Sequence, residues 1–326
     1  MMQEYTEQQN WSWIELGTTG EMIEPAIVEE IKCIVTPENV LTDEPMSGHT
    51  TFKIGGNADV YVSIINEQEL IRLIGMLKDK EIPFFIIGKG SNLLVSDSGY
   101  HGVIIEIGNG YSGVRIIDGV IVAKAGTPMS KLSHFAMENG LTGLEFAGGI
   151  PGTVGGGIIM NAGAYGGEMR QVAYRVKVLT PEGEVKVLSN AEMEFEYRTS
   201  KAKKEGYIVL QAEFRLHSGD KQIIEAIMRD LSVKRKEKQP LEYPSAGSTF
   251  KRPQGHYAGK LIADAGLKGF RIGDACVSEK HAGFLINTGK ATAADMYSLI
   301  KEVRQRVYDS FSVILEPEVI FLGEFK

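Results

Sequence analysis

The sequence predicts an α+β fold, and three observations lead there. Stretches rich in β-branched residues and stretches of helical periodicity both recur along the 326 residues, but without the regular strand–helix–strand alternation of a doubly wound sheet. Glycine-bounded turns divide the first two thirds into short strands, and a second region opens near Asp220 on a long amphipathic helix. Between them, residues 145–167 (EFAGGIPGTVGGGIIMNAGAYGG) carry nine glycines in twenty-three positions.

Residues 1–45 are acidic and lack a long repeating pattern, apart from a short helix expected over Pro25–Cys33, and are read as an extension of unknown role. From His49 the composition changes. HTTFKIGGNADVYVSII predicts two strands with a turn at Gly55-Gly56. Asn66 should cap a helix with Glu69 in capping-box position, and Leu70, Ile74 and Leu77 should face the core. Pro83 ends that helix, and PFFIIGKGSNLLVSD reads as strand, glycine loop, strand. GVIIEI is a further strand, and VRIIDGVIVAKAG is a hairpin turning on Asp118-Gly119. Residues 128–139 form a helix opened by Pro128 and closed by Gly140. A second hairpin follows in VAYRVKVLT-PEGE-VKVLS, then the polar segment AEMEFEYRTS and the strand YIVLQAEFRL. In the helix after Asp220, Ile223, Ile224, Ile227, Met228 and Leu231 share a face, and its basic end KRKEK reads as a solvated terminus. HYAGKLIADAG is helical and FRIGDACVS and HAGFLIN are strands. Thr292 caps a helix with Met296, Leu299, Val303 and Val307 on one face, and LEPEVIFLG closes the chain as a strand.

Glycine costs conformational entropy, so a fold concentrates it where the backbone turns sharply or must lie bare against a ligand. In residues 145–167 the interleaved Ile150, Val154, Ile158, Ile159 and Met160 argue against a flexible linker. Charged side chains are nearly absent there, so an anion would be held by converging main-chain N–H groups. GKGSN (Gly88, Lys89, Gly90, Ser91, Asn92) follows a strand but lacks the third glycine of GxGxxG and runs into another strand instead of a helix. No GxxxxGK[ST] occurs. Neither the dinucleotide fingerprint nor the P-loop accounts for these glycines.

A net charge of −7 and a pI near 5.5 argue against nucleic acid or an anionic membrane as the main partner. Cys33 and Cys276 stand far apart, giving neither a metal site nor a disulfide framework, which fits a reducing cytoplasm. The six histidines show no ligand spacing, so no metal is expected. No apolar run reaches transmembrane length, and the N-terminus lacks the basic and apolar regions of a secretory signal. Arg198 in YRTS, Ser248 in AGSTFKRP, and Glu316 or Glu318 in LEPEV are the scattered candidate reactive positions; none forms a local catalytic motif. If LEPEV is extended, both glutamates point to one side, and periodicity does not choose between them.

HTTFKIGG, IGKGSNLLVSD, GLEFAGGIPGTVGGGIIMNAGAYGGEM, YRTS, AGSTFKRP, VSEKHAGFLIN and LEPEVIFLG occur in an order that resembles the UDP-N-acetylenolpyruvoylglucosamine reductases (UDP-N-acetylmuramate dehydrogenases), from about Ser47 to Gly323. The resemblance implies an FAD-binding domain of the vanillyl-alcohol-oxidase type over 46–218, in two parts (about 46–108 and 109–218). A C-terminal α+β substrate-binding domain would follow over 219–326. It further implies non-covalent FAD, NADPH as co-substrate, and a UDP-sugar whose enolpyruvyl group is reduced for peptidoglycan synthesis, with no obligate protein partner. By the same resemblance, Gly88 to Asn92 and the loop of Gly148, Gly149, Ile150, Gly152, Thr153, Gly155 and Gly156 cradle the FAD pyrophosphate, with Asn161 nearby. Arg198 matches the family's catalytic arginine, Glu318 its acid and Ser248 its proton donor; Lys251, Arg252 and His281 become candidate diphosphate or sugar contacts. The roles suit the chemistry, because hydride added to an enolpyruvyl ether drives charge onto a carboxylate that a fixed, bidentate guanidinium can hold.

Two departures stand out. KAKKEG follows YRTS where the family has a bulky apolar side chain, and the short run from Arg198 to Tyr207 resembles the compact class without an inserted substrate loop. A different FAD-dependent oxidoreductase of the same fold, or a flavin-binding module without catalysis, are the competing readings; AGSTFKRP and LEPEV favour the reductase.

Overall fold

The structure is a computed structural model that describes residues 22–325, so the readings of the first twenty-one residues lie outside what it describes. The chain enters through helix α1 (Pro25–Ile34) and strand β1 (Val40–Pro45). Strand β2 (Asn57–Ser63), helix α2 (Glu67–Asp79) and strands β3 (Phe84–Ile87), β4 (Leu93–Val95) and β5 (Tyr100–Glu106) follow. The first sheet runs β1-β2-β5-β3, with β1 antiparallel to β2 and the other pairs parallel. As the spacing predicts, the Asn66 side chain accepts the Glu69 amide at 2.9 Å and starts α2, whose Leu70, Ile74 and Leu77 are buried.

Two sequence expectations fail in this sheet. Residues 24–45 are not an extension: Val28, Ile31 and Val35 are buried in the core, and β1 pairs with β2 from Val40↔Val62 to Pro45↔Asn57. As an edge strand, β1 carries the polar residues Thr42, Asp43 and Glu44, which concealed it. Conversely, HTTFKI forms no strand. The Thr50 hydroxyl donates to the Ile54 carbonyl at 2.8 Å and accepts its amide at 3.3 Å, and Lys53 takes a φ of 59°, closing a turn.

The second sheet is built from β6 (Val114–Ile117), β7 (Val120–Lys124), β8 (Ala173–Leu179), β9 (Val185–Ser189) and β10 (Ile208–Phe214) in the order β9-β8-β10-β7-β6, antiparallel throughout. Asp118 and Gly119, with φ of 49° and 76°, make the two-residue turn between β6 and β7. Helices α3 (Met129–Glu138), α4 (Val154–Ile159) and the single turn α5 (Lys201–Lys204) lie between these strands in sequence. One continuous apolar core from Val28 to Phe214 joins both sheets.

Helix α6 (Lys221–Lys238) departs from the expected division at 219, because it packs on α3 and on Glu145–Gly149. Ile224 is buried and Met228 and Leu231 half-buried, whereas Ile223 and Ile227 are 61% and 42% exposed. The contact stripe is therefore narrower than the predicted face. It continues to Arg235, whose half-buried guanidinium lies against Gly149, so the basic end is not simply solvated.

Helix α7 (Ala258–Asp264), strands β11 (Ala275–Val277) and β12 (Leu285–Asn287), helix α8 (Ala293–Phe311) and strand β13 (Ile320–Leu322) complete the chain. Met296, Leu299, Val303 and Val307 of α8 are buried, and Thr292 and Asp295 form its capping box. This core also takes in Phe52, Ile54 and Leu94 from the first region. Asp97 accepts the amides of Ala293 and Ala294 at 2.8 and 2.9 Å, and β13 pairs in parallel with β4. The last strand thus returns to the GKGSN loop and carries Glu318 to the seam between the regions.

Candidate active site

A cleft of about 500 Å³ runs along that seam. Its lining brings together apolar side chains (Phe84, Ile86 and Pro181), the backbone of Gly88, Gly155 and Gly156 with Thr153, and the charged Lys203, Lys251 and Glu318. The two predicted glycine loops face each other across it. The Ser91 hydroxyl donates to the Pro151 carbonyl at 3.2 Å, and a Cβ built on Gly152 would lie 3.2 Å from Ser91 Oγ. A Cβ on Gly88 would sit 2.5 Å from Thr153 Oγ1. Thr153 in turn caps α4, accepting the Gly156 amide at 3.4 Å. Apolar side chains, glycine main chain and cations in one cleft fit a group that combines aromatic rings with a diphosphate. FAD is such a group.

Of the residues predicted to cradle it, Gly88, Thr153, Gly155 and Gly156 line the cleft. Gly90, Ser91, Asn92, Gly148, Gly149, Ile150 and Gly152 belong to the flanking loops and do not line it, and Lys89 is exposed. Asn161 does not line the cleft. It is 1% exposed, and its Nδ2 donates to Glu168 Oε2 at 3.1 Å and to the Glu196 carbonyl at 3.0 Å, while its Oδ1 accepts the Arg170 amide at 2.9 Å. Every one of those bonds is internal, so its amide secures the hairpin that bears Arg198.

That hairpin is closed by reciprocal backbone bonds, Glu196 N–H to Thr199 O at 3.1 Å and Thr199 N–H to Glu196 O at 3.3 Å. Arg198 occupies the turn with a φ of 57°, a conformation that costs a non-glycine residue free energy and is tolerated where the surroundings enforce it. The buried Ser200 hydroxyl ties the far side of the hairpin to the Ile159 carbonyl at 2.9 Å. So held, Arg198 Nε lies 2.7 Å from Glu318 Oε1; the N–H is not aimed at the oxygen, and the contact is an ion pair rather than an aligned hydrogen bond.

Glu318 is positioned from two directions. Its carbonyl accepts Asn92 Nδ2 at 2.9 Å, and its amide donates to the Thr249 carbonyl at 2.8 Å. Residues 248–251 therefore run antiparallel to 316–318, with bridges at Phe250↔Pro317 and Ser248↔Phe284, and Ser248 comes next to the glutamate strand. Burial pushes the Glu318 carboxyl up from the usual carboxylate range, against the opposing pull of Arg198, Lys203 and Lys251. The structure also separates the two glutamates that periodicity left equivalent. Glu316 is 45% exposed and pairs with Lys251 at 2.6 Å, whereas the side chain of Glu318 is 13% exposed and lines the cleft.

A second cavity, of about 430 Å³, opens on the far side of Glu318. Arg198, Ser248 and Glu318 all line it, together with Arg252 and His281. Lys251 does not; it faces the cleft instead. Arg252 stacks on Tyr257 at 3.9 Å, and its amide donates to the Tyr197 hydroxyl at 3.1 Å. His281 Nδ1 accepts the Gly283 amide at 3.1 Å and burial lowers its pKa, which leaves a neutral ring with Nε2–H as the donor. Lys260, Lys268 and Lys280 add cations to the same wall. Sequence reasoning missed these lysines because they lie in helical and loop segments with no pattern of their own. It also missed Lys203, although KAKKEG had marked that segment as unusual.

Residues 58–189 match the family described as FAD binding domain, and residues 239–322 match the UDP-N-acetylenolpyruvoylglucosamine reductase, C-terminal domain. The UDP-N-acetylenolpyruvoylglucosamine reductase of Caldanaerobacter subterraneus subsp. tengcongensis is 50% identical over 301 residues, covering 91% of this chain and 98% of that protein. The Clostridioides difficile protein of the same name is 46% identical, covering 89% and 96%. The crystal structure of the reductase from Thermus caldophilus superposes with a TM-score of 0.73 at 34% identity, covering 87% of this chain and 98% of the other.

Proposed function

The chain belongs to the UDP-N-acetylenolpyruvoylglucosamine reductase family, and from that premise we propose how its two cavities divide the reaction. The enzyme is an FAD-dependent oxidoreductase that reduces UDP-N-acetylglucosamine enolpyruvate to UDP-N-acetylmuramate for peptidoglycan synthesis, with NADPH as reductant. Gly88, Thr153, Gly155 and Gly156 would hold FAD in the cleft, and the bound cofactor would supply to the terminal methylene of the enolpyruvyl ether the hydride equivalent drawn from NADPH.

The chain's own residues hold the substrate and manage charge and protons. Arg198 grips the enolpyruvyl carboxylate, onto which negative charge moves as the methylene accepts hydride. Glu318, whose carboxyl burial pushes up, pairs with Arg198 in the free enzyme and in its protonated form donates a hydrogen bond to the same carboxylate. The Ser248 hydroxyl gives its proton to the neighbouring carbon, which completes the saturation of the double bond. Arg252 and His281, with the lysines on that wall, hold the diphosphate and sugar. A nucleotide-sugar substrate and two free cysteines suit the cytoplasm, and among the described residues no helix is long and apolar enough to cross a membrane.

One observation carries this reading: Arg198 meets Glu318, the residue common to both cavities, at 2.7 Å, and Ser248 lines the second cavity with them. The test is NADPH oxidation by the FAD-loaded protein with and without the enolpyruvyl sugar. Stimulation by the sugar is expected. A yellow protein that oxidises NADPH at the same rate without it would instead be another flavoprotein of the same fold.

A further inference from the structure

Lys203 has no part in the reaction as described so far, and its setting is unusual. It stands on α5, one turn beyond the Arg198 hairpin, half-buried in the wall of the cofactor cleft. Its ammonium has the Arg198 carbonyl at 3.4 Å and forms no salt bridge among the described residues. Lys251, also in the cleft lining, differs, since Glu316 pairs with it at 2.6 Å. Glu318 nearby is committed to Arg198. Burial, and secondarily Lys251, lowers the Lys203 pKa, while Glu318 and Glu316 oppose the shift. A half-buried ammonium facing a cavity without a carboxylate partner is costly unless a ligand brings the negative charge. Ala202, Ile159 and Val319 also line this cleft.

The place of Lys203 in the cleft narrows which charge that is, and this step rests on the proposed division of the site. The glycine backbone that suits the diphosphate belongs to Gly88 and Gly155–Gly156, which are separate from the charged side chains of the lining. Lys203 lies against the Arg198 carbonyl and near Glu318, the residue that lines both the cleft and the cavity holding Ser248 and Arg198. The reacting ring must come near that shared residue. The oxidised ring is neutral, whereas two-electron reduction near neutral pH leaves a negative charge on its pyrimidine edge. We infer that Lys203 is the cation that meets this charge, so that it raises the reduction potential of the bound FAD and favours its acceptance of electrons from NADPH.

The experiment compares the two-electron midpoint potential of FAD in the wild-type holoenzyme and in Lys203→Met, by equilibration with a reference dye and without substrate. The preference for reduced over oxidised FAD should fall ten- to a hundredfold, about 30 to 60 mV for a two-electron couple. Lys203→Arg should restore most of it, and KM for the enolpyruvyl sugar should change less than twofold. Should Lys203→Met fail to hold flavin, Lys203→Gln keeps a polar side chain without the charge and should show the same fall. A preference within twofold of wild type in a flavin-loaded variant would overturn the inference. So would an unchanged potential with a tenfold rise in KM, which would make Lys203 a substrate contact. Because the potential is read without the sugar, a failure of the proposed substrate would leave this result interpretable.

Discussion

Asn161 offers the sharpest test of how the structure departs from the sequence reading. Asn161→Ala removes three hydrogen bonds from a side chain that is 1% exposed, to Glu168, Glu196 and Arg170. At about 1 kcal/mol net each, these amount to about 3 kcal/mol. Asn161 also holds a φ of 42°, which alanine adopts less readily, adding about 1 kcal/mol. A loss of about 4 kcal/mol should lower the melting temperature by roughly 6 °C. Freeing the Glu196 carbonyl loosens the hairpin beneath Arg198, and a displacement near 1 Å costs about a hundredfold in rate. The assay pairs FAD titration with rapid-reaction kinetics of each half-reaction. FAD affinity and flavin reduction by NADPH should stay near wild type, while reoxidation by the enolpyruvyl sugar slows about a hundredfold. Asn161→Gly, free of the φ penalty, should regain about 1 kcal/mol and none of the rate. A tenfold loss of FAD affinity with an unchanged melting temperature would refute this account and return Asn161 to the cofactor.

Other perturbations read separate parts of the site. Glu318 has its folded pKa raised, so its contribution to stability is fully present below the unfolded carboxylate pKa and is lost as pH rises through the folded value. Activity that needs the protonated acid should fall over the same limb. Glu318→Gln should abolish that limb in a pH–rate profile; a limb that persisted would belong to another group. Arg198→Met removes the largest charge opposing the shift, so the limb in the residual activity should move to higher pH, and reoxidation should slow by about a thousandfold with FAD retained. Lost flavin in that variant would make Arg198 structural. Gly88→Ala would set a methyl carbon 2.5 Å from Thr153 Oγ1 and displace the α4 cap. Flavin fluorescence quenching should report at least about tenfold weaker FAD binding, since N-cap loss and strain together approach 1.4 kcal/mol; unchanged affinity would mean the loop yields.

Local chemistry was legible where it had a local cause. The Asn66 cap, the Asp118-Gly119 turn and the buried stripe of α8 follow from residues within a few positions of one another, and the structure keeps all three. Where a partner lies far along the chain, sequence reading erred. The strand β1 depends on pairing with β2, and the turn at Thr50–Ile54 is secured while Phe52 and Ile54 enter the C-terminal core. Asn161 shows the same limit, because its bond to Glu196 spans thirty-five positions. The choice between Glu316 and Glu318 could not be made from periodicity and needed the Arg198 hairpin and the Asn92 side chain, both remote in sequence. Lys203 was hidden differently. A lysine in KAKKEG reads as a solvated charge until the fold sets one of the three against the cleft.

The central claim is that Ser248 supplies the proton while the cleft separately handles electrons. The direct measurement is anaerobic, with FAD-loaded Ser248→Ala first reduced by NADPH and then mixed with the enolpyruvyl sugar. Reduction at the wild-type rate, followed by reoxidation slowed by at least about a thousandfold, is the predicted result. Reoxidation at the wild-type rate, or an equal loss in both half-reactions, would contradict the account.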